Sequence, residues 1–272
     1  MTKPASSPPP TDVGAHLVTD ILGVKISAID MATAVATIEG WIADRERQYV
    51  CICTVHTVME CQRSARLMDV VNGAGLRTPD GMPLVWLSRR AGHKDVSRVY
   101  GPDLLLELCA RSASTGHRHY FYGGGQGVAE ELAKRMTARY AGLRVVGTHT
   151  APMLATGELE SADTLAAINA AGADVVWVGL GTPKQDWWLA NHRPLLKAPV
   201  LIAVGAAFDF HSGRVKQAPH GMQRSGLEWL FRLSQDPRRL MSRYLIYNSL
   251  FVVGLMRQRL MRSGRRASGP TV

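Results

Sequence analysis

The chain has 272 residues, of which 46% are hydrophobic and 20% charged, a composition that excludes a disordered or fibrous protein and fits one large globular domain or two small ones. Its four cysteines, Cys51, Cys53, Cys61 and Cys109, form no C-x-x-C pair, and with no cleavable apolar leader they read as reduced thiols of a cytosolic protein, not a disulfide scaffold or a zinc ribbon. The formal net charge of +10 is unevenly spread: residues 1–213 carry 20 Lys and Arg against 20 Asp and Glu, whereas 214–272 carry 12 against 2, so a neutral body precedes a basic tail that calls for an anionic partner.

Residues 1–16 are rich in Pro and Ser, lack apolar periodicity and are expected to form a disordered leader. From residue 17 the chain alternates short β-branched runs with longer helix-like stretches, the pattern of a parallel sheet covered by helices. Four strand-then-loop units stand out. Tyr49-Val-Cys-Ile-Cys-Thr54 turns polar at Thr54 and His56 before an amphipathic stretch over 58–71. Tyr120-Phe-Tyr122 enters Gly123-Gly-Gly-Gln-Gly127 and a helix over 128–140. Val175-Val-Trp-Val178 enters Gly179-Leu-Gly-Thr-Pro-Lys-Gln-Asp186, with a helix from about Lys184 and its Pro at the first helical position. Val200-Leu-Ile-Ala-Val204 enters Gly205-Ala-Ala-Phe-Asp209. Two polar turns join them, Thr78-Pro-Asp-Gly-Met-Pro83 and Tyr100-Gly-Pro-Asp103, the second opening a helix to about Ser114. Open parallel sheets bind ligands beyond the carboxyl ends of their strands, so these loops are expected to line one cleft.

The tail reads as two helices, one over 226–233 and one over 238–261, separated at Asp236-Pro237. The apolar run over 244–256 has 13 residues, too few to cross a bilayer, which takes about 20. It is expected to lie on a membrane or to pack on the body.

The glycine-rich turn at 123–127 fails the dinucleotide fingerprint: Val128 stands where G-x-G-x-x-G needs a small residue, and the segment about twenty residues on has no acid for a ribose. What survives is either a close backbone approach to a phosphate or sugar near Gly124, or a plain tight turn. Asp80, between Pro79 and Gly81, is a rigidly mounted carboxylate or simply a turn residue; Asp209 is a ligand contact or a helix cap. His117 and His119 have no third ligand at a metal-binding spacing. No D-x-D sequence occurs, so a sugar-nucleotide diphosphate would have to be neutralised by arginines such as Arg232, Arg238, Arg239 and Arg243. The other reading of those arginines is a solvated basic face. G-x-S-x-G and Walker A sequences are absent as well.

Taken together, Thr78-Pro-Asp-Gly-Met82, Gly179-Leu-Gly-Thr-Pro-Lys-Gln-Asp186, Gly205-Ala-Ala-Phe-Asp209 with Ser212-Gly213, and Ala218-Pro219 leading to Gly226-Leu-Glu-Trp-Leu-Phe-Arg-Leu233 closely resemble the WecG/TagA/CpsF family of bacterial glycosyltransferases, over roughly residues 22–244. The resemblance implies an α/β fold, a Rossmann-like, mostly parallel sheet flanked by helices over 17–213, with a C-terminal helical membrane-associating appendage over 214–272. It implies an inverting, metal-independent transfer of a sugar from a UDP-sugar donor to a saccharide on a polyprenyl diphosphate, in cell-surface polysaccharide synthesis. No cofactor or metal is expected. The partners expected are the donor, the lipid-linked glycan and an anionic membrane surface, without nucleic acid and with self-association; the expected place is the cytoplasmic face of the membrane, peripherally bound. By the same resemblance Asp80 is the catalytic base and Thr54 contacts a sugar. Lys184, Gln185 and Asp209 lie around the nucleotide, and Arg232, Arg239 and Arg243 close over the diphosphate. His56 stands where many relatives have Asn, which bears on the identity of the sugar. A nucleotide-dependent oxidoreductase of Rossmann type is the alternative.

Overall fold

The computed structural model describes residues 16–152 and 155–267, with the side chains of 220, 224, 238–240, 242–244 and 261–267 left aside; the expected leader lies almost entirely outside this range. The described chain begins with an antiparallel hairpin, β1 (Val18–Ile21) and β2 (Val24–Ser27). Its two-residue turn puts both Leu22 and Gly23 at positive φ, 51° and 84°, the conformation that matches the twist of paired strands. The hairpin alternates exposed and buried residues, and its inner side chains, Ile21, Val24 and Ile26, join the core.

After α1 (Met31–Ala43) come β3 (Gln48–Cys53), α2 (Val55–Arg63), α3 (Ala65–Asn72), β4 (Leu76–Pro79), α4 (Met82–Arg90) and α5 (Gly101–Thr115). The second half follows with β5 (Arg118–Gly123), α6 (Val128–Arg139), β6 (Arg144–His149), α7 (Ala162–Ala170), β7 (Val175–Gly179), α8 (Lys184–His192), β8 (Val200–Ala203) and α9 (Ala207–His211). Six of these strands form one parallel sheet in the order β4-β3-β8-β7-β5-β6. Helices cover both faces, so the central strands are buried on both sides and read as unbroken apolar runs, as parallel sheets require. One core layer packs α1, α5, α6 and α9 on the sheet around Phe121, Trp177 and Ile202. The other packs α2, α3 and α8 around Tyr122, Val178 and Leu201. The chain builds outward from β3 to β4 and from β5 to β6, then fills the middle with β7 and β8. That topology sets the loops after β3, β8, β7 and β5 side by side.

The expected α/β architecture holds, with three departures. The amphipathic stretch over 58–71 is two helices, broken at Ser64, whose hydroxyl accepts from the Leu67 N–H at 3.2 Å and caps α3. Thr78 and Pro79 belong to β4 and not to a turn: β4 is an edge strand, which tolerates a proline, and the donor that closes the ladder is the Asp80 N–H, 3.0 Å from the Cys53 carbonyl. Pro183 is the cap of α8, one residue before the expected position, behind a cis Thr182–Pro183 peptide.

The C-terminal segment contains α10 (His220–Arg224), α11 (Glu228–Gln235) and α12 (Pro237–Ala267). Asp236 and Pro237 divide the last two, as the sequence predicts. α12 packs on α2: Phe251 is buried in the core, Gly254 meets Leu22 of the hairpin turn, and Gln258 donates to Asp20 at 2.8 Å. Leu245, Ile246, Leu250, Val253, Met256 and Leu260 remain exposed. Among the described residues no helix is long and apolar enough to cross a membrane.

Candidate active site

A cleft of about 560 Å³ opens at the carboxyl end of the sheet, walled by the loops after β3, β5, β7 and β8. Its narrowness at the sheet is set by glycine. Gly123 has φ 114°, and a Cβ there would stand 2.9 Å from the backbone of Gly179; a Cβ on Gly179 would in turn meet the Phe208 ring at 2.6 Å. Without side chains the two loops join directly, the Gly124 N–H donating to the Gly179 carbonyl at 2.9 Å. Gln185, 4% exposed, uses its amide within the third loop: its Oε1 accepts from the Gly181 N–H at 3.0 Å. The far rim, 155–158, is held at its end by Glu160, which accepts from the Tyr122 hydroxyl and whose N–H donates to His192 Nε2 at 3.0 Å.

Asp80 lies in this cleft wall, 7% exposed, directly after β4. Its Oδ1 accepts from Arg98 Nη2 at 2.8 Å and Nε at 3.2 Å, while Oδ2 receives only a long contact, 3.5 Å, from the Gly101 N–H. One carboxylate oxygen is thus anchored and the other is left with capacity to accept. Burial pushes the carboxyl above the ordinary aspartate range; Arg98 opposes that rise and Glu228 adds to it. Arg98 also donates to Glu228 Oε2 at 2.6 Å, and the Tyr100 hydroxyl donates to Glu228 Oε1 at 2.8 Å. Burial works against the charge on Arg98, but the two carboxylates and the Tyr100 ring, 3.9 Å below the guanidinium, hold it firmly protonated.

A second cavity of about 630 Å³ adjoins the first, between α4 and the helices α11 and α12. Met82, Trp86, Leu227, Phe251 and Leu255 give it an apolar lining. Thr54, His56, Asp80, Tyr100 and Arg232 border both spaces. The Thr54 hydroxyl accepts from the Thr57 N–H at 3.4 Å and caps α2, which fixes it on this partition. His56 lies 3.8 Å from Glu60 and against the ring of Tyr247 from α12, whose hydroxyl donates to Glu60 and accepts from Arg63.

Of the residues singled out from sequence, Thr54, His56, Asp80, Gly124, Lys184, Gln185, Asp209 and Arg232 all line the first cleft. Asp209 is in the first turn of α9, capped by Ala206, so it is not the helix cap; Arg232 sits 5.7 Å over the Phe210 ring. The side chains of Arg239 and Arg243 fall outside the described residues. Sequence reasoning missed Arg98 and Glu228, which lie 130 positions apart, in no recognisable motif spacing. It also assigned no use to Asp186, which is fully buried behind the cleft. Burial pushes its carboxyl up to about 6. Among the described residues no three His, Cys, Asp or Glu side chains converge as metal ligands do.

Comparison with known proteins places these features in one group. Residues 19–265 match the family model of the glycosyl transferase WecG/TagA/CpsF family. An N-acetylglucosaminyldiphosphoundecaprenol N-acetyl-beta-D-mannosaminyltransferase of Bacillus spizizenii strain W23 is 32% identical over 180 residues, 66% of this chain and 68% of that protein. The protein of the same description from Bacillus subtilis strain 168 is 31% identical over 172 residues, 63% of this chain and 65% of that protein. The chain therefore spans about two thirds of the length of these relatives in alignment.

Proposed function

The chain belongs to the glycosyl transferase WecG/TagA/CpsF family, and from that membership we propose that it transfers a sugar from a UDP-sugar to a saccharide carried on a polyprenyl diphosphate, in cell-envelope polysaccharide synthesis. The observation that carries this reading is the position of Asp80 on the partition between a polar cleft and an apolar one. The polar side suits a nucleotide, with backbone N–H groups after β5 and β7, Lys184 at its mouth and Asp209 within it. The apolar side suits the first isoprene units of a lipid-linked acceptor, whose sugar would then reach the partition. The relatives' names specify N-acetylglucosaminyl-diphosphoundecaprenol and an N-acetylmannosaminyl group, and these are the first acceptor and sugar to test.

In this mechanism Asp80 Oδ2, the less engaged carboxylate oxygen, takes the proton of the acceptor hydroxyl as the hydroxyl oxygen attacks the anomeric carbon opposite the departing UDP, inverting the configuration. A positioned base of this kind is worth about 10² to 10⁴ in rate. Charge growing on the diphosphate is met by Arg232 and other guanidinium groups of the tail and by N–H groups of the glycine loops, without a metal ion. The exposed apolar face of α12 and its arginines rest on the bilayer at its cytoplasmic face, each basic residue near anionic lipid adding about 1 kcal/mol. Residues 17–213 are the catalytic body and 214–272 the lid and membrane contact.

The reading is tested by thermal-shift measurements with UDP, GDP, CMP and NAD, each with and without magnesium. UDP alone is expected to stabilise the chain, equally in both conditions. Stabilisation by NAD and not UDP would favour an oxidoreductase, and a strict magnesium requirement would remove the metal-independent mechanism.

A further inference from the structure

We propose that Glu228 is a positioning residue: carried on α11, it shares Arg98 with Asp80 and so sets the proton affinity of the base, making the seating of the appendage and the readiness of Asp80 one event. This rests on the reading of Asp80 as the base.

A single nitrogen, Arg98 Nη2, donates to Asp80 Oδ1 at 2.8 Å and to Glu228 Oε2 at 2.6 Å. All three side chains are largely shielded from water, at 18%, 10% and 12% exposure for Arg98, Asp80 and Glu228. Tyr100, with its ring under Arg98 and its hydroxyl on the other Glu228 oxygen, fixes the arrangement. An arginine paired with Asp80 alone would hold the carboxylate ionised and a poor acceptor of protons. A second carboxylate on the same guanidinium leaves the group with one net negative charge, which strengthens Asp80 as a base while Arg98 still fixes its orientation. Of the other titratable or charged groups around Asp80, Cys53 from β3 and Tyr100 before α5 feel its charge, and His56 from α2 and Arg232 from α11 line the same cleft. Of the residues that bond directly to Arg98 in this group, Glu228 is the one supplied by the appendage. It is the first residue of α11, where the helix dipole favours a carboxylate.

The test uses the full chain labelled with ¹³C at aspartate carboxyls, with Asp80→Asn to assign the resonance. In Glu228→Gln the Asp80 titration midpoint is expected to move to lower pH, and the acid limb of kcat/KM with it. Turnover near neutral pH is expected to fall about three- to tenfold, the deficit shrinking as the pH is lowered, with Glu228→Asp recovering most of the rate. Tyr100→Phe, which removes a hydrogen bond and no charge, is expected to leave the midpoint in place. An unmoved midpoint in Glu228→Gln, a rate loss uniform across pH, or an equal shift in Tyr100→Phe would overturn the proposal. If the midpoint moves but the rate has no acid limb, Glu228 still governs Asp80 and it is the assignment of Asp80 as base that fails.

Discussion

The sharpest quantitative consequence of the structure concerns Asp186, which closes the Gly179-to-Asp186 motif yet is fully buried. Neither carboxylate oxygen is held by a hydrogen bond of good geometry. The Thr182 hydroxyl and the Cys51 thiol favour the ionised form but offset the desolvation only in part, so the carboxyl is pushed up to about 6 from the ordinary 3.8. The native state therefore holds this proton to higher pH than the unfolded chain does. Stability contributed by the neutral carboxyl is fully present below about pH 4, declines as the pH rises through 6, and is lost above it. The difference corresponds to about 3 kcal/mol at neutral pH. Asp186→Asn keeps the volume and removes the titration. In urea unfolding measured from pH 4.5 to 8, the stability of the variant relative to the native sequence is expected to rise across that range by about 2 to 3 kcal/mol. Parallel profiles for the two proteins would show that Asp186 is ionised and satisfied in the native state, and the reasoning would fail.

Other consequences follow from the same geometry. Gly123→Ala, at a φ of 114° and 2.9 Å from the Gly179 backbone, should cost about 2 kcal/mol or more in thermal unfolding and should shrink the shift produced by UDP; an unaltered UDP shift would separate this turn from the nucleotide. Phe251→Ala removes the anchor of α12, 4% exposed, at a cost of about 3 kcal/mol to docking, and is expected to expose residues 214–267 to protease while leaving the body resistant. A chain ending at Gly213 is expected to lose co-sedimentation with anionic liposomes and nearly all turnover. Full activity in that truncation would refute the role of the tail as a lid.

The four central strands were legible because each apolar run, β-branched or, in β5, aromatic, ends abruptly at glycine or a hydrogen-bonding side chain, and burial on both faces produces that signal. The remaining strands carried a weaker one. β1 and β2 are four residues each, joined by Leu22-Gly23 in place of a familiar Asn-Gly turn; β4 includes Arg77; and β6, at the sheet edge, buries none of its residues fully. The break at Ser64 was hidden because an amphipathic pattern continues through it and only the cap hydrogen bond divides the helices. At the site, residues on strand-end loops were recoverable because topology brings such loops together. The partition between the two cavities was not, since Arg98 and Glu228 meet only when the appendage folds back over the body.

The proposed transfer depends most on Asp80. Single-turnover transfer by Asp80→Asn, measured beside the UDP-induced thermal shift of the same protein, tests it directly. The expected result is an unchanged shift with the transfer rate reduced by about 10² to 10⁴. A rate near that of the native sequence, with the shift intact, would contradict it.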